Sequence, residues 1–166
     1  RGDVHYVCIN NCFFHRGMSY YSPGELRERQ VSWLKQNLAL TPKDKKVVLC
    51  YHIPFTFGNA PFSKAKPLTN ANEQGHYSSS RLSLLLSLLK PFKGGYELFC
   101  GHTHFACNHE INYQGEDVME HCHAAACGNI WQSNINICGT PNGYYVYSFV
   151  GTSISNCYYK GTFWDK

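Results

Sequence analysis

Charge is scarce in this sequence. Asp, Glu, Lys and Arg make up 16% of the 166 residues, and 15 Lys and Arg against 11 Asp and Glu leave a net charge of +4. So mild an excess, scattered apart from KDKK at 43–46, does not describe a nucleic-acid surface, and no RNA- or DNA-binding motif is present. No run of about 18 apolar residues exists, so no membrane span is expected. The chain opens RGDVHYVCINN, without a basic region ahead of an apolar stretch, so no signal peptide is visible. Internal repeats and low-complexity segments are also missing. Apolar residues reach 43%, which excludes a disordered chain. The length is that of one domain, enough to bury a core without staples.

Cysteine, by contrast, is plentiful: nine residues, at 8, 12, 50, 100, 107, 122, 127, 138 and 157. No C-x-x-C pair occurs and the spacings fit no zinc-finger pattern. Cys8, Cys50 and Cys100 lie in apolar runs, where cysteine behaves as a small buried hydrophobe. One or two disulfides among Cys107, Cys122, Cys127, Cys138 and Cys157 are open to an exported protein, and the sequence does not assign the pairing.

The patterning predicts buried strands at 4–10, 46–52 and 96–100, each an uninterrupted apolar run. A helix is expected over 25–40, opened by Ser22-Pro23-Gly24, with Leu26, Val31, Leu34 and Leu38 on one face and a stop at Thr41-Pro42. Residues 11–24 read as a loop. A second helix, 80–92, is apolar almost all round and should pack deep. Strand, helix, strand, helix, strand is the order of a parallel α/β sheet. Beyond His104 the segments FACNHEINY, DVMEHCHAAA, GYYVYSFVG and SISNCYYKG read as antiparallel strands with no helix between them. The stretch from Phe55 to about Ser78 is a long loop rich in Gly, Pro, Asn and Ser, a length that in a compact domain is functional or mobile.

Ligands of a parallel α/β sheet bind outside the carboxyl ends of its strands. His52 falls at one such end, and His102 and His104 fall just past another, after Gly101 has allowed a sharp turn. Any one of them alone reads as a satisfied core histidine. Three imidazoles brought to one sheet edge read as a metal site, because neutral imidazole is the commonest metal-ligating side chain. His121 and His123 would share a face of a strand and could line the same cleft or form a polar face. His5, His15, His76 and His109 have no partner at a telling distance and read as loop or surface residues. Asp3-Val4-His5 spells a D-x-H, but it precedes its strand instead of ending it and reads as a strand entry.

CYHIPF followed by LFCGHTHF resembles the calcineurin-like metallophosphoesterases, through the G-H-x-H element at 101–104 and the upstream strand-end His52. LRERQVSWLKQNLAL with KKVVLCYHIPF resembles that family's helix-then-strand unit. HAAACGNIWQSNINICGTPNGYYVYSFVG is similar to the segment that, in multi-domain bacterial members, leads toward a further C-terminal β domain. The resemblance implies an α/β (α+β) fold, two packed β-sheets flanked by helices. It divides residues 1–166 into a catalytic-domain remainder, about 1–128, and a β segment, about 129–166. It also implies hydrolysis of phosphate mono- or diesters at two divalent metal ions (Mn, Fe, Zn or similar), with His52 and His102 on one ion and His104 on the other. The family's D-x-H strand end, G-D element and G-N-H-[DE] element are not found in usable positions. The expectation is therefore the C-terminal half of a catalytic domain with an incomplete site holding one ion or none. Alone it should hydrolyse little, and the uncovered sheet edge should favour self-association. The 55–78 loop, with Phe55, Phe57, Asn59, Phe62 and Lys64, is expected to reach a phosphate ester's leaving group. An exported or periplasmic location is suspected on the resemblance alone. Two other classes compete: a non-catalytic binding module of the same fold, and an exported Cys- and His-rich protein that binds structural zinc.

Overall fold

The computed structural model describes residues 2–14, 21–23, 26–55, 79–127 and 132–162. Its elements run β1 (Val4–Cys8), β2 (Cys12–Phe14), β3 (Tyr21–Pro23), α1 (Glu28–Leu40), β4 (Lys46–Cys50), α2 (Ser79–Leu89), β5 (Tyr96–Cys100), β6 (Cys107–Tyr113), β7 (Glu116–Cys122), β8 (Gly143–Val150) and β9 (Ser153–Gly161). Five strands form the main sheet in the order β1-β4-β5-β7-β6, with β2-β3 and β8-β9 as separate two-stranded sheets. β1, β4 and β5 are mutually parallel, as their order with the two helices predicts.

Alternation along each strand gives the main sheet two different faces. Val7, Val47, Leu49, Leu98, Ile111 and Val118 point to one side and join a single core with Val31, Leu34 and Leu38 of α1 and Leu82, Leu85, Leu86 and Leu89 of α2. The all-round apolar texture of α2 thus reflects deep packing, and its four core leucines are 0–1% exposed. The other face carries polar and aromatic groups and is covered by the β8-β9 hairpin. There Tyr147 stacks on Phe99 with ring centroids 4.5 Å apart, and Phe149 meets Tyr6 edge-on at 6.2 Å. The class is a mixed α and β architecture, with the β8-β9 hairpin on one side of the main sheet and the helices on the other.

Several expected boundaries move. Residues 12–14 and 21–23 are paired antiparallel instead of forming part of a loop, and α1 begins at Glu28 instead of 25. The two differences have one cause: Ser22 and Pro23 are committed to β3, and Arg27 is still extended, so the helix opens only after them. α2 ends at Leu89, before Pro91, because the residue ahead of proline is driven out of helical geometry. The antiparallel pair β6-β7 does not leave the first sheet. β7 pairs parallel with β5 (Phe99 opposite His121), which places β6 at the edge. One buried face on each of these strands requires it, since Cys107, Ile111 and Tyr113 and then Val118 and Cys122 need the cover that the helices provide.

Candidate functional site

Asn11 shows how the strand ends are assembled. It follows β1 and is fully buried. Its amide donates to Ile53 O at 2.6 Å, and its Oδ1 accepts from Ile53 N at 3.0 Å and His52 N at 3.2 Å. From the other side Glu120 of β7, also fully buried, accepts from Tyr51 Oη at 2.5 Å and from Phe55 N at 2.8 Å. The segment 51–55 after β4 is therefore clamped at its backbone by two buried polar side chains. Gly101 N then donates to His52 O at 3.0 Å and joins this segment to the turn after β5.

That turn is unusual. His102 and His104 both have positive φ, 70° and 59°, in the left-handed region that non-glycine residues rarely enter. Backbone of this kind persists where its surroundings hold it, and such positions cluster at functional sites. Here the holders are Thr103 N donating to Gly101 O at 2.8 Å and the Thr103 hydroxyl 3.1 Å from Cys122 Sγ. The outcome is contact between His102 Nδ1 and His52 Nε2 at 3.0 Å, with the rings edge-on at 4.8 Å. Partial burial lowers the pKa of both imidazoles. Repulsion from His104 adds to the effect on His52, and repulsion from His52 and His104 adds to it on His102. Neutral rings are what a metal ion requires of histidine.

The spacing fits one ion in part. Two imidazole nitrogens each about 2.1 Å from a metal and at a right angle stand about 3.0 Å apart. Two protein ligands do not close a site, however, and among the described residues no group of three or more His, Cys, Asp or Glu side chains is placed to hold a metal ion. The described residues thus supply two corners of one coordination sphere and do not by themselves complete a binuclear centre.

The other sequence-predicted residues separate. His121 and His123 share the hairpin-covered face. His121 bonds to Asn108 Oδ1 at 2.8 Å and to Glu97 Oε2 at 3.3 Å, and Glu97 in turn pairs with Lys46 at 2.8 Å. Burial raises the Glu97 pKa, but hydrogen bonds from His121 and Lys46 outweigh it and hold the carboxyl below its ordinary value. His123 stacks on Tyr145 at 4.8 Å and bonds to Tyr147 Oη at 2.8 Å, and burial followed by repulsion from His121 lowers its pKa to about 4. Both line a pocket of about 390 Å³ between the sheet and the hairpin, and none of His52, His102 and His104 lines it. Phe55 is a core residue, 4% exposed and tilted against Tyr51, so it packs instead of reaching toward a leaving group. Phe57, Asn59, Phe62 and Lys64 lie outside the described residues, as do His15 and His76. Asp3 and His5 stand at the opposite end of β1, where Asp3 pairs with Lys45 and His5 with Asn37.

His109 is a correction. It is 1% exposed, with Nε2 3.3 Å from Cys107 Sγ. The period-two alternation Cys107, His109, Ile111, Tyr113 was the signal that it faces inward. Cys8 also departs from expectation, being exposed, while Cys50 is half-buried and Cys100 buried.

Residues 120–166 match a family model described as the C terminal of calcineurin-like phosphoesterase. No curated protein and no solved structure matches the chain. The matched stretch begins at Glu120, the carboxylate that clamps the His52 segment, and continues through both strands of the β8-β9 hairpin. Residues 120–166 are thus similar to the C-terminal region of calcineurin-like phosphoesterases, the same family that the sequence around His52 and at 101–104 resembles.

Proposed function

We propose that this chain contributes to a metal-dependent phosphoesterase that hydrolyses phosphate mono- or diesters. His52 and His102 are its ligands to one divalent ion and His104 is a ligand to a second. The observation that carries the reading is the 3.0 Å approach of two neutral imidazoles at the carboxyl edge of a parallel sheet. A bound divalent ion in such a site lowers the pKa of its water and offsets charge on phosphoryl oxygens. The chain's own part is to hold and orient: Asn11 and Glu120 fix the backbone that carries His52, and the left-handed turn aims His102 at it. Among the described residues no group of three or more His, Cys, Asp or Glu side chains is placed to complete the site. The 166-residue chain by itself is accordingly a weak binder of one ion with little hydrolytic activity.

Calorimetric titration of the chain with Mn²⁺ and Zn²⁺, beside a bis-p-nitrophenyl phosphate assay, tests this. The expected result is one weak site whose affinity falls at least about tenfold in His52→Ala and in His102→Ala, an effect of the size seen on disturbing a metal site's immediate support. Unchanged binding in the double variant would remove the metal reading. Hydrolysis at ordinary enzymatic rates by the chain alone would remove the half-site reading.

A further inference from the structure

Three thiols stand in one row across the main sheet, outside the histidine pair. Cys100 ends β5, Cys122 ends β7 and Cys107 begins β6. The register sets Cys100 opposite Cys122, and Cys122 opposite Cys107. All three point to the helix-covered face and are 2–7% exposed. Cys122 Sγ is within hydrogen-bond reach of Cys100, Cys107 and the Thr103 hydroxyl. His109, next on the same face of β6, brings Nε2 to 3.3 Å from Cys107 Sγ. Three thiols and an imidazole suggest zinc, but no group of three donors among the described residues is placed around a common point.

We propose that Cys107 and Cys122 form a redox-active pair that a peroxide converts to a cross-strand disulfide. Directly opposed residues of an antiparallel pair have Cα atoms about 4.5–5.5 Å apart, inside the range of about 4.4–6.8 Å that a disulfide spans. Cys100 meets the same distance but sits in a strand held on both sides, by β4 and β7. Cys107 starts the edge strand, and Cys122 ends the strand beside it, so their backbones can close the last few tenths of an ångström.

The chemistry balances with hydrogen peroxide as the oxidant. The thiolate is the reactive form of cysteine; Cys122 Sγ donates to Gly101 O at 3.1 Å, and once that proton has left, the Thr103 hydroxyl 3.1 Å away is placed to donate to the sulfur. This sulfur attacks one peroxide oxygen, the O–O bond breaks, a sulfenic acid forms, and the departing hydroxide takes up the thiol's proton to give water. Cys107 then passes its proton to His109 Nε2 and attacks the sulfenic sulfur. The S–S bond forms, the S–O bond breaks, and hydroxide leaves as water with the proton from His109. Two thiols lose two electrons, and one peroxide becomes two waters.

No Lys or Arg lies between Lys93 and Lys160, so trypsin leaves all three cysteines on one peptide, whereas Glu-C cuts after Glu110, Glu116 and Glu120 and chymotrypsin after Phe105. The folded chain would be treated with hydrogen peroxide, alkylated, digested with both enzymes and mapped by mass spectrometry. The expected product is a peptide pair joined through Cys107 and Cys122 as the main cross-link, kept in Cys100→Ser. In Cys107→Ser it should be replaced by a dimedone-trapped sulfenic acid on Cys122. The wild-type map does not depend on either variant folding. Alkylated Cys107 and Cys122 under conditions that oxidise the exposed Cys8 and Cys157 would overturn the proposal, as would Cys100 joined to Cys122 as the main product.

Discussion

Glu120 carries more of this structure than any histidine. A fully buried carboxylate is expensive unless its oxygens are bonded, and here Oε1 alone receives the Tyr51 hydroxyl and the Phe55 amide. Replacing Glu120 with Ala leaves both donors buried, each at about 1–3 kcal/mol. The expected loss is about 2–5 kcal/mol of unfolding free energy in a urea titration, with Glu120→Gln costing less because an amide oxygen still accepts. A Glu120→Ala chain within about 0.5 kcal/mol of wild type would show that the clamp contributes nothing. Neither this role nor that of Asn11 was legible in the sequence. Both side chains bond to backbone some 40–70 residues away, and polar residues give no periodic signal when their partners are that distant. The pairing of His52 with His102 was legible, because each follows an apolar run that could only be a buried strand and parallel strands deliver their carboxyl ends to one edge. That His109 is buried was missed because it was weighed as an isolated histidine and not as a member of an alternating face.

Elements here meet through close backbone approaches that leave no room for a side chain. Gly94 turns the chain from α2 into β5 against the start of β4, and a Cβ placed on it would stand 2.4 Å from Lys45 C and 2.5 Å from Lys45 O and Lys46 N. These neighbours are backbone atoms fixed by the ladder, with Val47 N donating to Gly95 O at 3.0 Å and Lys93 N to Lys43 O at 2.7 Å. Gly94→Ala must separate β4 from β5 at that end, so a loss of about 2 kcal/mol or more is expected, within the range for backbone strain and overpacking. Thermal melting against Gly2→Ala checks it: Gly94 has the clash without a positive φ, whereas Gly2 has a φ of 60° and open space around its Cβ, so clash and conformation are separated. Strand and helix identities were readable from apolar period and from Pro and Gly punctuation. The small β2-β3 pair was not, since three-residue strands carry too little pattern. Nor was the return of β7 beside β5, because a hairpin's place in a sheet depends on which face the rest of the chain can cover.

The molecule as a whole has one face closed by helices and one closed by an aromatic hairpin, and the second makes its stability depend on acid. His123 lies under Tyr145 and Tyr147 with its pKa lowered to about 4, chiefly by burial. His52 and His102 are lowered as well. A histidine whose folded pKa is depressed binds fewer protons folded than unfolded between the two values. Stability therefore rises with pH across that window and is lost as pH falls through it. The unfolded value is about 6.5, so for His123 the window runs from about 6.5 down to about 4. Above it the folded state is unaffected by this group. A difference of about 2.5 pH units corresponds to at most about 3 kcal/mol from His123, the other two histidines adding in the same direction. Glu97, held below its ordinary value by His121 and Lys46, extends the loss further into acid. Urea midpoints measured from pH 7.5 to pH 4.5 should fall steadily, with no fall between pH 8 and pH 7. His123→Phe keeps a ring to stack on Tyr145 but has nothing to titrate, so the slope should become distinctly shallower in that variant, whereas His121→Phe removes only the smaller of the two causes and should keep most of the slope. A slope identical in wild type and His123→Phe would mean that the hairpin does not shield His123 from protons in solution, and that β8-β9 opens from the sheet before the rest of the chain unfolds.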